Sequence, residues 1–370
     1  MIIAIDASRA ISDQPTGTEL YSARIILHLA KIDTNTTYYL YSPKKPTGDL
    51  ANLPKNFVWK IVPFPKLWSQ IRLPLALLAD KPDVLFVPSH VIPFFCPVAK
   101  LVVTLHDVAY VVFPEAYSPF ERWYQNFTAR LAIDRAETII TPSEATKRDL
   151  IKVFQAVANQ IVVIPHGFDP IHNNSTTSST DTASLEPYFL TVGRLETRKN
   201  TGFLIRAFAK FKKDNPEAKD RLVLIGKPGY GYEAVEKIKN GLPLSTRQAI
   251  IETGYVSNTE RLAYLKASTA FVFPSLYEGF GIPILEAMAA GTPVITSDVS
   301  ANPEVADDAA ILIDPTSVDD LAHNLALLAT DELTRSEIVK KSIVRAKHFS
   351  WEKMAKQTYD VLMKVGGQTL

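Results

Sequence analysis

A chain of 370 residues with 46% hydrophobic and 21% charged side chains has the composition of a globular protein and the length for two ordinary domains, which excludes disordered, collagen-like and small disulfide-stapled chains. Lys plus Arg number 40 against 39 Asp plus Glu, and a net charge of +1 lacks the basic excess of a nonspecific nucleic-acid binder. One cysteine, Cys96, cannot form an intramolecular disulfide, and no Cys/His cluster has zinc spacing, so a reducing, cytoplasmic setting and no metal site are expected.

The first ten residues lack a basic n-region, and Asp6 interrupts their apolar run, so they read as a buried strand rather than a signal peptide. No apolar run reaches the roughly 18 residues that span a bilayer. A polar loop, Gln14-Pro-Thr-Gly17-Thr-Glu19, leads into a helical pattern over 19–31. Further short apolar runs at 37–41, 84–87, 101–105, 138–140 and 161–164 are rich in β-branched and aromatic residues, as parallel strands covered by helices are. Lys66 to Leu75 mixes cations, Trp68 and aliphatics in the pattern of an interfacial helix, though a buried core stripe reads the same way. His90 follows the 84–87 run, His106-Asp107 ends the 101–105 run, a second helix is expected over 119–136, and His166-Gly167 closes the half like a hinge.

Residues 169–187 are polar and poor in large apolar side chains, and we read them as a linker separating domains at 1–168 and 188–350. The second half repeats the alternation, with strands expected near 189–192, 222–225, 250–253, 270–273, 294–296 and 310–313. Two doubly wound α/β domains are the economical architecture, and ligands in such sheets bind at the carboxyl ends of the strands. Through residue 168 there are 17 Lys/Arg against 14 Asp/Glu, and afterwards 23 against 25, so the first half is the more cationic. An amphipathic helix with a Ser350 cap is expected from Trp351.

Three constellations carry chemistry. Gly193-Arg194-Leu-Glu-Thr-Arg198-Lys199-Asn200 leaves the first strand of the second half and places three cations beside a helix start, an anion site unless the loop is merely solvated. Arg198 is expected to be exposed. Further on, Glu278-Gly279-Phe280-Gly281-Ile282-Pro283 opens a helix that carries Glu286. Acids are common in first turns, but the two glycines let a ligand approach the backbone and its free amides. His106 is the third, a histidine at a strand end. Gly229-Tyr-Gly231 satisfies a relaxed dinucleotide fingerprint but follows the wrong strand, so a loop near a nucleobase, with Gly226, Tyr255 and Val256, is preferred.

Glu278 and Glu286, with seven residues between them, and the Gly193-Arg194 to Lys199-Asn200 segment resemble the retaining nucleotide-sugar glycosyltransferases of family 4, over nearly the whole chain. The resemblance implies a GT-B fold, two Rossmann-like domains facing across a cleft, with the last helix, 351–370, crossing back to the first domain. It implies a hexose, of mannose or glucose type, moved from a UDP or GDP sugar to a hydroxyl of a glycan or lipid-linked acceptor. It further implies that Glu278 meets the sugar hydroxyls and Glu286 the ribose diol, that Arg194 and Lys199 clamp the diphosphate, and that His106 supports the reacting centre. Gly17, Gly279, Phe280, Gly281 and Ile282 complete the expected donor site, although one glycine stands where the family carries a pair near residue 17. Arg9, Glu19, His90 and Asp107 are expected on the acceptor side, Asp107 also as an orienter of the His106 ring. No Asp-x-Asp occurs, so no metal-bridged diphosphate site is expected and no cofactor is implied. The rivals are an epimerase or phosphorylase on the same fold, or a protein that binds a sugar nucleotide without turnover. A polysaccharide-forming enzyme of the cell envelope would work in the cytoplasm or at the inner face of the membrane, with weak peripheral contact through the first domain.

Overall fold

The computed structural model describes residues 1–12, 17–64, 67–169 and 187–368. Gln14 to Thr16, Lys66 and nearly all of the expected linker lie outside the described residues. In chain order the first sheet region runs β1 (Ile2–Asp6), α1 (Gly17–Ile32), β2 (Thr37–Ser42), β3 (Phe57–Ile61), α2 (Trp68–Asp80), β4 (Val84–Val87), β5 (Lys100–Thr104), α3 (Ala109–Val112), α4 (Pro119–Arg135), β6 (Thr138–Thr141), α5 (Glu144–Phe154) and β7 (Ile161–Val163). The second runs β8 (Tyr188–Val192), α6 (Thr201–Asp214), β9 (Arg221–Ile225), α7 (Tyr232–Asn240), α8 (Leu244–Gln248), β10 (Ile250–Gly254), α9 (Asn258–Ala267), β11 (Ala270–Phe273), α10 (Ile282–Ala290), β12 (Val294–Ser297), α11 (Asn302–Ala306), β13 (Ile311–Ile313), α12 (Val318–Thr330) and α13 (Glu332–Ala346). α14 (Trp351–Gly366) ends the chain's helices.

Both sheets are parallel. Their strand orders are β3-β2-β1-β4-β5-β6-β7 and β10-β9-β8-β11-β12-β13, so the order reverses between β1 and β4 in one and between β8 and β11 in the other. Those two points are where a doubly wound sheet parts its loops and leaves room for a ligand. Val84–Val87 and Ala270–Phe273 are buried along their whole length, which explains their unbroken apolar sequence. β3 was not foreseen: it is an edge strand in which only Phe57 is fully buried, and Lys60 interrupts its short apolar run Phe57-Val58-Trp59.

The chain divides into two compact units, Met1–Gly167 with Phe349–Leu370, and Phe168–His348. In the first, α14 packs on α1, β4 and β5, and its Trp351, Met354 and Leu362 are buried. The Ser350 hydroxyl accepts from Lys353 N and caps this helix. Gly167, the last residue of this unit before Phe168, passes so close to it that a Cβ would stand 2.2 Å from the Trp351 nitrogen. In the second, Phe208 and Phe211 of α6 and Leu321 and Leu325 of α12 meet in one apolar core. Among the described residues no helix is long and apolar enough to cross a membrane.

Candidate functional site

In the second unit the loops that leave β8 and β11 meet at the reversal of strand order. After β8 the chain turns at Gly193, whose φ of +147° is open to glycine alone. Gly226, at the end of β9, presses on it: a Cβ there would lie 1.8 Å from the Gly193 oxygen. Leu195 N then donates to Lys227 O, and Gly229 N to Leu195 O, both at 3.0 Å, and Thr197 N donates to Tyr230 O at the same distance. A Cβ on Gly231 would strike the Thr197 hydroxyl at 2.1 Å. The glycines of 226–231 therefore serve loop-on-loop packing, and neither a dinucleotide fingerprint nor a ligand approach is needed to explain them. Of the expected nucleobase residues, Gly226 is committed to this backbone contact, Val256 is half-buried and Tyr255 is exposed under the Lys227 ammonium.

This strapping holds the cationic turn against Glu278. Lys199 Nζ donates to Glu278 Oε1 at 2.6 Å and stands over the Phe273 ring, 4.7 Å from its centre. Arg198 Nη1 donates to Glu278 Oε2 at 3.2 Å and to the Tyr277 carbonyl at 3.0 Å, and its Nη2 to Glu196 Oε1 at 3.0 Å. Arg198 was expected to be exposed and is instead built into the site, because a buried glutamate on each side recruits it. Arg194, expected to be the partner of Lys199, is exposed and forms no ion pair among the described residues. Glu278 is buried, which pushes its carboxyl up, but Lys199 and then Arg198 outweigh burial and hold it below the usual range. Ser300, at φ +59°, fixes the backbone there by accepting from Glu278 N at 3.1 Å and donating to Glu278 O at 2.5 Å.

α10 begins after Gly281, at φ +114°, with Pro283 in its first turn. Phe280 is buried, Gly279 and Ile282 half-buried, and the helix start faces the Glu278 loop. Glu286, on the same helix, accepts from Arg261 Nη2 of α9 at 2.9 Å. Burial pushes this carboxyl up, opposed by Arg261. Arg261, Glu196 and Ser300 carry no motif in the sequence. Arg261 and Ser300 act on residues 25 and 22 positions away, and Glu196 acts on Arg198, whose other partner is 80 positions away.

The first unit gathers a separate cluster at the carboxyl ends of β1, β4 and β5. His106 is buried; its Nε2 faces the Pro88 carbonyl at 3.0 Å and its Nδ1 faces His166 Nε2 at 3.2 Å. Tyr21 of α1 packs edge-on to it at 4.8 Å between ring centres. Burial first, then His90, depresses the His106 pKa to about 4, so the ring is neutral near pH 7. Asp107 was expected to orient this ring. Its carboxylate instead accepts from Ala109 N at 2.9 Å and caps α3, and the Pro88 carbonyl and His166 orient the ring. His90 is half-buried, with its centre 5.4 Å from that of His106. Arg9 and Glu19 pair at 3.8 Å, Arg9 exposed. Gly17 opens α1 with nothing within 4 Å of the position a Cβ would take. Among the described residues no three His, Cys, Asp or Glu side chains gather as metal ligands.

Residues 177–345 match the model of glycosyl transferases group 1, and residues 15–171 that of glycosyltransferase family 4. The chain is 31% identical to O-antigen chain mannosyltransferase B of Escherichia coli over 292 residues, 76% of this chain and 74% of that one. Sucrose-phosphate synthase of Thermosynechococcus elongatus has a similar structure, at a TM-score of 0.73 and 20% identity over 98% of both chains. So has Anabaena HepE solved with UDP-glucose, at 0.71 and 19% identity over 98% of this chain and 99% of that one.

Proposed function

The chain belongs to glycosyltransferase family 4, with two parallel-sheet Rossmann-like domains of the GT-B class, and from that premise we propose that it moves a hexose from a nucleoside diphosphate sugar to a hydroxyl of a glycan or lipid-linked glycan, with retention at the anomeric carbon. The likeness to a mannosyltransferase of O-antigen chains supports mannose and a polysaccharide acceptor. A UDP-glucose complex of a similar fold supports a nucleotide sugar as the donor.

One observation carries the reading most strongly: Glu278, buried and ionised between Lys199 and Arg198, stands where the strand order reverses and the positive end of a helix begins. Each Glu278 oxygen meets one cation, and a carboxylate has lone pairs beyond those two bonds with which to accept from a sugar hydroxyl. Glu286, backed by Arg261, is placed on α10 to accept from a ribose diol. Lys199 and the exposed Arg194 meet the diphosphate, with the positive end of the α10 dipole, and no metal cofactor is required. In the transfer the bond from the anomeric carbon to the phosphate oxygen breaks, and its electron pair leaves with the nucleoside diphosphate. The acceptor oxygen bonds to the same face, and its proton passes to the departing phosphate oxygen. Cations fixed in advance stabilise the charge that grows on that oxygen. His106 has both ring nitrogens engaged, so it supports the centre as a fixed post.

We also propose peripheral membrane contact through the first unit. α2 exposes Leu67 at its start, then Ile71 and Leu75, while burying Trp68, Leu73 and Leu77; α4 exposes Phe120, Trp123 and Phe127. Aromatic rings among arginines are the chemistry of a bilayer interface.

The test of the transfer reading is a donor screen with GDP-mannose, GDP-glucose, UDP-glucose and UDP-galactose, following nucleoside diphosphate release with and without mannose-terminated oligosaccharides. Acceptor-dependent release from one donor is expected. Release that requires inorganic phosphate instead of an acceptor would identify a phosphorylase, and binding without release a non-catalytic receptor.

A further inference from the structure

The hydrogen bonds around the three histidines of the first unit have a direction that the chemistry of their partners dictates. A backbone carbonyl only accepts, so His106 Nε2, 3.0 Å from the Pro88 oxygen, carries its ring's proton. Its Nδ1 is then an acceptor, and His166 Nε2, 3.2 Å away, is the donor. A backbone N–H only donates. His106 N points at His90 Nε2 at 3.3 Å, so that nitrogen of His90 carries no proton. The proton of the neutral His90 ring therefore sits on Nδ1, which meets no partner among the described residues. Burial first, with Arg9 adding to it and Asp107 opposing, depresses the His90 pKa and keeps the ring neutral near pH 7.

His90 stands just past the end of β4, beside the end of β5, at the point where the strand order reverses. It is half-buried, whereas His106 and His166 are buried with their bonds directed inward. We propose that His90 is a substrate-binding residue whose Nδ1–H donates to a carbohydrate hydroxyl oxygen, with His106 as the positioning residue that fixes its tautomer through the backbone. The class of ligand rests on the glycosyl-transfer reading; the tautomer does not.

The experiment uses the full chain labelled with ¹⁵N-histidine. Long-range ¹H–¹⁵N spectra near neutral pH, assigned with the variants, should show His90 protonated at Nδ1 and His106 at Nε2. Titration with methyl α-mannoside, GDP-mannose and GDP then separates the sources of the hydroxyl. A His90 Nδ1 shift with the methyl glycoside marks an acceptor sugar, and a shift with GDP-mannose but not GDP marks the transferred one. In transfer assays His90→Phe should raise the KM of that substrate roughly fivefold, the worth of one neutral hydrogen bond, with a smaller change in kcat. His90→Asn, which keeps an amide donor, should recover most of it. Protonation at Nε2, or no His90 shift with either sugar ligand, overturns the proposal. A saccharide shift in a protein that transfers nothing would instead leave the proposal standing and sink the transferase reading.

Discussion

Lys199 is held between an acid and a ring, 2.6 Å from Glu278 and over Phe273, so its ammonium is placed before any phosphate arrives. A cation fixed in this way costs no reorganisation when charge develops on the leaving oxygen. Lys199→Ala is therefore expected to lower kcat at least about tenfold while thermal unfolding stays close to the parent's. The same change removes the larger of the two cationic influences on Glu278, so the carboxyl rises and the acid limb of the pH–rate profile moves to higher pH. The sign follows because a carboxylate that loses its cation takes up a proton sooner as pH falls. A rate equal to the parent's would remove Lys199 from the clamp; a lowered rate with an unmoved acid limb would remove Glu278 from it. Lys199 was readable from sequence because it lies in a local motif. Arg198 lies in the same motif but its part in the site was not readable, since one of its two acids, Glu278, is 80 positions away and only the fold brings it into contact.

At the level of elements, the parallel strands were legible because burial on both faces leaves unbroken apolar sequence, as at Val84–Val87 and Ala270–Phe273. The edge strand Phe57–Ile61 was not, because its exposed face carries no such constraint. Nor was the purpose of the 226–231 glycines, which match a nucleotide pattern yet act by letting that loop lie on residues 193–197. Gly226 and Gly254 separate the two kinds of demand. Both have φ above zero, +150° and +72°, but a Cβ on Gly226 would collide with the Gly193 oxygen, while one on Gly254 would meet nothing within 4 Å. Gly254→Ala is expected to cost about 1 kcal/mol in urea unfolding, the ordinary penalty of a left-handed residue. Gly226→Ala should cost at least about 2 kcal/mol more, since the loops must part, and should weaken GDP-mannose binding with it. Equal costs for the two variants would mean that the loop contact contributes nothing.

Across the whole molecule, a net charge of +1 hides an unequal distribution, and the apolar surface is unequal too. In the first unit, Phe94 links α2 to α4: Gln70 Oε1 accepts from Phe94 N at 2.8 Å, and the Phe94 ring meets Phe127 edge-on at 5.2 Å. Leu67, Ile71 and Leu75 on one side and Phe120, Trp123 and Phe127 on the other thus form one exposed apolar face, larger than chance scatter of single side chains would give. Arg122, exposed on α4 beside Trp123, would add attraction to anionic headgroups if this face meets a membrane. Three aromatic rings entering a headgroup layer bury enough apolar area for several kcal/mol before ordering costs, on the order of 25 cal/mol per Å². The full chain should float with vesicles containing phosphatidylglycerol, less so with purely zwitterionic ones. Phe120→Ser combined with Trp123→Ser and Phe127→Ser should reduce the bound fraction roughly tenfold at unchanged circular dichroism. If the parent ignores both vesicle types and instead sediments as a dimer that the same substitutions dissociate, the face is a contact between copies of the chain. Transfer to a water-soluble acceptor separates the two roles, since Lys199 and Glu278 belong to the second unit and α2 and α4 to the first: the triple variant should keep the parent's kcat there and lose rate only when the acceptor is presented in a bilayer.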